Sequence, residues 1–248
     1  MMTAPGGLRF SDRRVVAFCP GAAVWTNDFD YREGQVILRA PWLSANTTGF
    51  VISAIVRGWR VTREPSLLEL LRRSMVIFDL DYDQRGIRVP VDGHFLYTEK
   101  PGVPPPGILD GFLRSLLGLY DLVVGLDDPV AERLFVQGVS GLKQTLQMWD
   151  FKGRWSWYGN RAYLCPPNYH CLNRLLLVVL ARLTREPLLS DFAESWDPAR
   201  LSFAQRGEIY LRFLLTKNRS RIRNRTWQQQ YSLFRGDEAR NTISEQPI

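Results

Sequence analysis

A pattern of two helices is repeated three times along this chain, and it constrains the fold more than any other feature of the sequence. In each copy, an apolar stretch of about four helical turns runs into an acidic residue followed by proline, and a more polar stretch then begins. Proline suits the first turn of a helix, because the N–H that it lacks would have no partner there. The sequence therefore predicts three αα-hairpins, with their turns at Glu64-Pro65, Asp128-Pro129 and Glu186-Pro187.

The same periodicity predicts where the helices lie. The first helices of the three hairpins are expected over 44–61, 107–124 and 168–183, and the second helices over 66–78, 129–148 and 188–195. A hairpin whose first helix is apolar leaves a face that only a neighbouring hairpin can cover. We therefore expect a mainly α fold, an incomplete α/α toroid with the first helices inside, and an open solenoid is the alternative.

Connections and flanking segments complete the predicted organisation. Two connections, one before the third predicted helix and one over 150–167, are too long to be simple turns, and loops of that length are usually functional. We expect each to fold as a β-hairpin over one end of the helices. Short β-like runs at 14–18, 22–26 and 35–39 predict a small β element. The expected segments are a β element at 1–40, the toroid at 41–200 and a basic helix with a tail at 201–248.

Composition excludes several classes of protein. With 45% hydrophobic residues in 248, the chain can bury a full core. It has no apolar run of the roughly 18 residues that a membrane helix needs, and the first residues lack a signal-peptide pattern, so we expect a cytoplasmic location. Three cysteines without C-x-x-C spacing and two histidines argue against disulfides and a metal site. No glycine-rich phosphate loop follows a strand, so no cofactor is expected.

Positive charge is concentrated near the C-terminus. The chain has 32 basic and 25 acidic residues, and five of the basic ones fall within 217–225. Such a run favours an anionic partner: nucleic acid, an acidic polysaccharide or lipid headgroups. A solvated segment without a specific partner is the alternative interpretation.

Four motifs occur in the order in which a known family carries them. They read P-W-L-S at 41–44, Y-T-E-K-P at 97–101 with L-D-G-F and G-L-Y-D-L at 109–122, Y-G-N-R at 158–161, and N-Y-H-C-L-N at 168–173. The four segments resemble motifs in the C-terminal domain of the D-glucuronyl C5-epimerases. The first two family motifs are P-W-Y-S, and Y-E-E-Y-P with L-N-G-F and G-L-Y-D-L. The last two are Y-D-L-R, and D-Y-H with I-N. Those enzymes invert C5 of glucuronate within heparosan and heparan-type polysaccharides. The resemblance covers residues 41–196.

The resemblance implies a homodimeric enzyme that removes a proton from C5 and returns one to the opposite face, without a cofactor. It identifies Tyr158 and Tyr169 as proton carriers and Glu99 as a contributing carboxylate. A phenol, whose pKa is about 10, acts as a base only if nearby cations lower that pKa. Arg161 and His170 are the candidates for that role and for binding the substrate carboxylate.

Further substrate contacts are expected from residues beside these carriers. Tryptophan side chains next to a catalytic tyrosine suit a sugar subsite, where a ring face stacks on an aromatic plane, although strand packing explains them equally well. The expected substrate-binding residues are Arg161, His170, Asn173, Trp155, Trp157 and Tyr97.

One departure from the family pattern concerns the proposed chemistry directly. Lys100 stands where the family has the second tyrosine of Y-E-E-Y-P, itself an active-site residue of the family. A lysine can replace a phenol as a proton carrier if burial lowers its pKa, or it can pair with the substrate carboxylate. It can equally mark a catalytically inactive carbohydrate-binding or scaffold protein. A nucleic-acid binder would instead need aromatic and basic residues on one continuous surface.

Overall fold

A computed structural model describes residues 21–33, 36–102, 105–159, 163–226, 228–232 and 242–244. It confirms the prediction of a mainly α fold. The predicted strand at 14–18 and the predicted contact Arg161 lie outside the described residues. Seven α-helices occur in the described ranges: α1 (Ala45–Thr62), α2 (Pro65–Asp79), α3 (Leu109–Leu126), α4 (Pro129–Thr145), α5 (Pro167–Thr184), α6 (Pro187–Ser195) and α7 (Phe203–Thr226).

The three predicted hairpins, α1 with α2, α3 with α4 and α5 with α6, share one turn geometry. The first helix of each ends at a residue with left-handed backbone, namely Arg63, Asp127 or Arg185, with φ of 56°, 53° and 58°. The N–H of each of these residues donates to a carbonyl of the last helical turn. This cap reverses the chain, so that the following acidic residue and proline begin the second helix. The repeat read in the sequence is therefore a repeat of backbone geometry.

Helices α1 and α3 run parallel and touch through their backbones. A Cβ built on Gly118 would lie 2.6 Å from the Cα of Gly49, and one on Gly125 would lie 2.6 Å from a methyl carbon of Val56. The seven-residue step is the same in both helices, so they point in the same direction. Their first turns therefore lie at the same end of the fold. Glycine at this crossing is required by the close approach, because any side chain would overlap the neighbouring helix.

The helices enclose one large apolar core. Side chains from all three hairpins contribute to it, including Ile52 from α1, Leu119 from α3 and Leu177 from α5, each 0% exposed. Full burial of such a side chain contributes about 1.5–3 kcal/mol to folding. A second, smaller cluster joins β-strands to α7 and contains Phe151, Trp155, Leu164, Cys165, Leu201 and Ile209. This smaller cluster holds the C-terminal helix against these strands.

Both long connections contain the predicted β structure. The first forms a hairpin of β5 (Arg88–Val91) and β6 (His94–Tyr97). The second forms an antiparallel three-stranded sheet of β7 (Asp150–Phe151), β8 (Trp155–Tyr158) and β9 (Tyr163–Leu164). Near the N-terminus, β1 (Thr26–Asn27) pairs with β4 (Trp42–Leu43), and β2 (Tyr31–Glu33) pairs with β3 (Val36–Arg39).

One predicted helix end and one predicted strand differ from the structure for local reasons. Helix α4 ends at Thr145 and tightens into a 3₁₀ turn over Leu146–Trp149, a common way for the last turn of a helix to satisfy its carbonyls. The β-like run at 22–26 is mostly not a strand, because the N–H of Ala23 donates to Arg73 O of α2 and the segment packs on that helix.

The C-terminal region returns to the beginning of the fold. After α7, β10 (Gln228–Ser232) pairs in parallel with β3 and antiparallel with β11 (Thr242–Ser244).

Among the described helices, none has both the length and the hydropathy needed to cross a bilayer. Closure of the hairpins into an α/α toroid stays a prediction, as do the three predicted segment boundaries.

Candidate functional site

Glu99 and Lys100 are held at the first turn of α1. The N–H of Ala45 donates to Thr98 O, and the hydroxyl of Thr98 donates to Lys100 O, which fixes this short loop between β6 and the helix. Lys100 Nζ lies 3.6 Å from Glu99 Oε1, and both side chains are largely buried. The same ammonium lies 4.8 Å from the ring centroid of Tyr31. A buried ion pair of this kind is costly to assemble for stability alone.

Helix α3 begins against Glu99. A Cβ on Gly111, in the first turn of that helix, would lie 2.1 Å from Glu99 Oε2 and 2.4 Å from its Cβ. Only glycine leaves room for this carboxylate. The N-terminal turn of a helix carries partial positive charge and favours a carboxylate beside it. The L-D-G-F motif thus has a physical reason for its glycine.

Asp110 connects the two halves of the site. It is 3% exposed, its carboxylate lies 3.6 Å from Arg114, and burial raises the pKa of the carboxyl while Arg114 and Lys100 oppose the rise. Burial raises the pKa of the Cys165 thiol to about 12, and the charge of Asp110 adds to that rise. Asp110 therefore interacts electrostatically with Lys100 on one side and with Cys165, the residue after β9, on the other.

The two tyrosines expected to carry protons are in contact. Tyr158 ends β8, Tyr169 lies in the first turn of α5, and their ring centroids are 5.8 Å apart at an interplanar angle of 75°. Tyr163, the partner of Tyr158 across the β8–β9 turn, stacks on it at 5.0 Å and 15°. Tyr169 is 39% exposed. A solvent-accessible phenol thus meets a partly buried pair of stacked phenols.

The tyrosine end of β8 touches the loop that leads from Lys100 to α3. Gly159, at φ of 55°, places its backbone so close to this loop that a Cβ would lie 2.6 Å from Pro106 O. The indole N–H of Trp149 donates to Gly107 O at 2.7 Å and ties the same loop down. The segment that carries Tyr158 therefore contacts residues 106 and 107, which lie between Lys100 and α3 in the sequence.

His170 is a supporting residue in this structure. It is 0% exposed; its Nε2–H donates to Trp196 O, and its Nδ1 accepts from the N–H and the hydroxyl of Ser156. Trp155 stacks on the imidazole at 3.6 Å. Burial lowers the pKa of His170 to about 4, so the ring is neutral at pH 7. His170 and Trp155 fix the junction of β8 and α5 from within the core.

The remaining predicted contacts are mostly inside the protein. Tyr97 is 1% exposed, its hydroxyl donates to Leu134 O, and burial raises the pKa of its phenol. Asn173 is 2% exposed and donates to the Ser156 hydroxyl. Trp157 is partly buried and packs edge-on against Phe151. Across the described ranges, His, Cys, Asp and Glu form no group of three that could hold a metal ion.

The structure adds residues to the site that sequence reasoning did not select. Asp110 and Gly111 lie within the quoted L-D-G-F motif, and the Asp110–Arg114 spacing of four residues is a helical ion-pair signal. Tyr163 would follow from the β8–β9 register once the turn at Gly159 is known. The Asp110–Arg114 signal lies within one helix, whereas the Tyr163 signal depends on strand pairing.

We expect stability to fall as the pH is lowered from about 6.5 towards 4, because the unfolded chain protonates His170 while the native site keeps it neutral. The stabilisation that comes from keeping His170 neutral is complete above the pKa of histidine in the unfolded chain. It is lost at about 1.4 kcal/mol per pH unit, up to roughly 3 kcal/mol. Urea unfolding between pH 7 and pH 5 measures the slope. His170→Gln should flatten it and His94→Gln should not, so an unchanged slope in His170→Gln would contradict this account.

Comparison with known proteins agrees with the motif resemblance. The family described as the C-terminus of D-glucuronyl C5-epimerase matches residues 21–198. The chain is 28% identical over 182 residues to the D-glucuronyl C5-epimerase of Caenorhabditis elegans, covering 66% of this chain and 30% of that protein. It is 22% identical over 177 residues to an uncharacterized protein of Methanocaldococcus jannaschii, covering 70% of this chain and 56% of that protein.

The alignments span less than two thirds of either relative. The family match nevertheless covers more than half of this chain, and it includes every described residue of the candidate site. The resemblance seen in the motifs is therefore confirmed at the level of the family. The chain belongs to the family of the D-glucuronyl C5-epimerase C-terminal domain.

Proposed function

We propose that the protein is a C5-epimerase that inverts C5 of D-glucuronate residues within an anionic polysaccharide. The observation that carries the proposal is the meeting of Tyr158 and Tyr169, 5.8 Å apart, beside the loop that bears Glu99 and Lys100. Proton carriers and a cation are what this reaction requires. The family match supports the reaction type, and the substrate polymer is part of the proposal.

The chemistry is a balanced exchange of protons. A base takes the proton from C5, and the electrons of the C–H bond move into the adjacent carboxylate to form an enediolate. An acid on the opposite face of the sugar ring then returns a proton to C5, and the carboxylate is restored with C5 inverted. No electron leaves the sugar, and two groups on opposite faces of the ring suffice.

The described residues suit these roles. In our proposal the tyrosine pair serves one face of the ring and Glu99 serves the other. Lys100 binds the uronate carboxylate and stabilises the negative charge that develops on its oxygens. Its burial strengthens this interaction, because a charge pair shielded from water is screened less. Lys100 thereby substitutes for the family tyrosine as an electrostatic group.

The test is incubation with heparosan in deuterated water, followed by NMR of the C5 position. We expect deuterium at C5 and the appearance of the epimeric uronate. Carboxyl-reduced heparosan is the matched control, since it lacks the acidic C5–H and should take up no deuterium. Binding without deuterium uptake would reject turnover and indicate a non-catalytic carbohydrate-binding protein. The absence of both binding and deuterium uptake would reject a heparosan-type substrate.

A further inference from the structure

Helix α7 lies beyond the family-matched residues, yet it is docked on the sheet that carries Tyr158. The hydroxyl of Thr216 accepts from the N–H of Leu164 in β9, and Ile209 is 7% exposed within the smaller apolar cluster. Glu208 pairs with Lys152 and Arg154 from the β7–β8 turn. The helix is thus fixed to the site by apolar, polar and charged contacts.

This docking brings a cation to the tyrosines. Lys217 Nζ lies 3.7 Å from the ring centroid of Tyr163, and that ring stacks on Tyr158. An ammonium on an aromatic face is held by the negative face of the ring. It has three N–H donors and can contact a carboxylate while it remains on the ring. Lys217 therefore offers a second cation, on the tyrosine side of the site, in addition to Lys100.

The surroundings of Lys217 are strongly basic. By sequence, α7 contains seven basic residues and one acidic residue, which accounts for six of the seven net positive charges of the chain. Arg221 lies one turn beyond Lys217 on the same side of the helix and is exposed. A polymer that carries a carboxylate at regular intervals can be followed by cations spaced along such a helix.

We infer that Lys217 and Arg221 form a carboxylate-binding subsite for a uronate residue next to the one held at Tyr158 and Tyr169. The inference rests on the proposed function and extends it to a segment outside the family match. In this arrangement Lys100 binds the carboxylate of the reacting sugar, and α7 binds that of its neighbour in the chain. The helix then sets the direction in which the polymer crosses the site.

The experiment compares two single charge removals on the same helix. Lys217→Gln removes the cation at Tyr163, and Arg219→Gln removes an exposed cation on the opposite side of α7. Binding of a heparosan oligosaccharide is measured by calorimetry, with circular dichroism to establish that both variants are folded. We expect Lys217→Gln to weaken binding about tenfold, as for loss of a charge-assisted hydrogen bond, and Lys217→Arg to restore most of it. Arg219→Gln should change it less than about twofold, as for an exposed charge.

Further arms separate this inference from simpler ones. With carboxyl-reduced oligosaccharide, the difference between the wild-type protein and Lys217→Gln should disappear, which a merely structural role for Lys217 would not produce. Equal losses of affinity in Lys217→Gln and Arg219→Gln would overturn the subsite, because they would show that binding depends only on the total positive charge of α7. So would equally tight wild-type binding to single-stranded DNA or to phosphatidylserine vesicles. The C5 exchange rate is read separately, so failure of turnover and failure of the subsite give different results.

Discussion

Tyr169→Phe is expected to lower the rate of C5 proton exchange by about 10²- to 10⁴-fold, the usual contribution of a general acid or base. The substitution removes only the hydroxyl and keeps the ring, so the edge contact with Tyr158 at 5.8 Å is retained. Affinity for the polymer should therefore change little. Tyr158→Phe is expected to have an effect of the same order, with the stacking on Tyr163 preserved. Deuterium incorporation at C5, followed with time by NMR, measures both.

Tyr210→Phe is the matched control for these variants. It makes the same chemical change at a tyrosine of α7 that is 66% exposed and lies outside the family-matched residues. Its exchange rate should equal that of the wild-type protein. Wild-type exchange in Tyr169→Phe would remove that hydroxyl from the proposed mechanism and leave Tyr158 and Glu99 as the carriers. Loss of exchange together with loss of folding would instead show that the hydroxyl has a structural role.

Gly118→Ala is expected to lower the free energy of unfolding by about 2–4 kcal/mol, because overpacking against backbone cannot be relieved by a rotamer change. The added methyl group would lie 2.6 Å from both the Cα and the carbonyl oxygen of Gly49. Helices α1 and α3 must separate to accept it. Urea or thermal unfolding measures the loss.

The same substitution at Gly207 should have the opposite sign. Gly207 is helical and exposed, and nothing lies within 4 Å of a Cβ built there. Alanine is favoured over glycine inside a helix by about 0.5–1 kcal/mol, so Gly207→Ala should stabilise the protein. If Gly118→Ala left stability unchanged, the backbone contact between α1 and α3 would not be tight.

The helices were predictable from sequence because each hairpin repeats a local signal. The acidic residue and proline at each turn act within a few residues, and the structure places a helix start at Pro65, Pro129 and Pro187 as expected. Helix α4 was predicted slightly too long because the tightening of its last turn has no strong sequence signal. Local chemistry thus decided the helices of the three hairpins, and only their ends were missed.

The site was harder to predict because a motif names residues without giving their directions. Successive residues of a helix point about 100° apart, so exposed Tyr169 and fully buried His170 are neighbours in sequence but not in role. Tyr97 belongs to the same motif as Glu99, yet its ring enters the core between α3 and α4. Lys217 could not be placed at all, because its position depends on the long-range docking of α7 on β9.

The contact between Gly49 and Gly118 also limits how this fold can change. The distance between α1 and the middle of α3 is set by two backbones in contact, and no choice of side chain can shorten it. The loops over 98–108 and 150–166 lie outside this crossing, so a change in their length does not alter the spacing of the two helices. A wider or narrower site would therefore have to come from the loops. The spacing of α1 and α3 is thus fixed, whereas the lengths of the two loops can change.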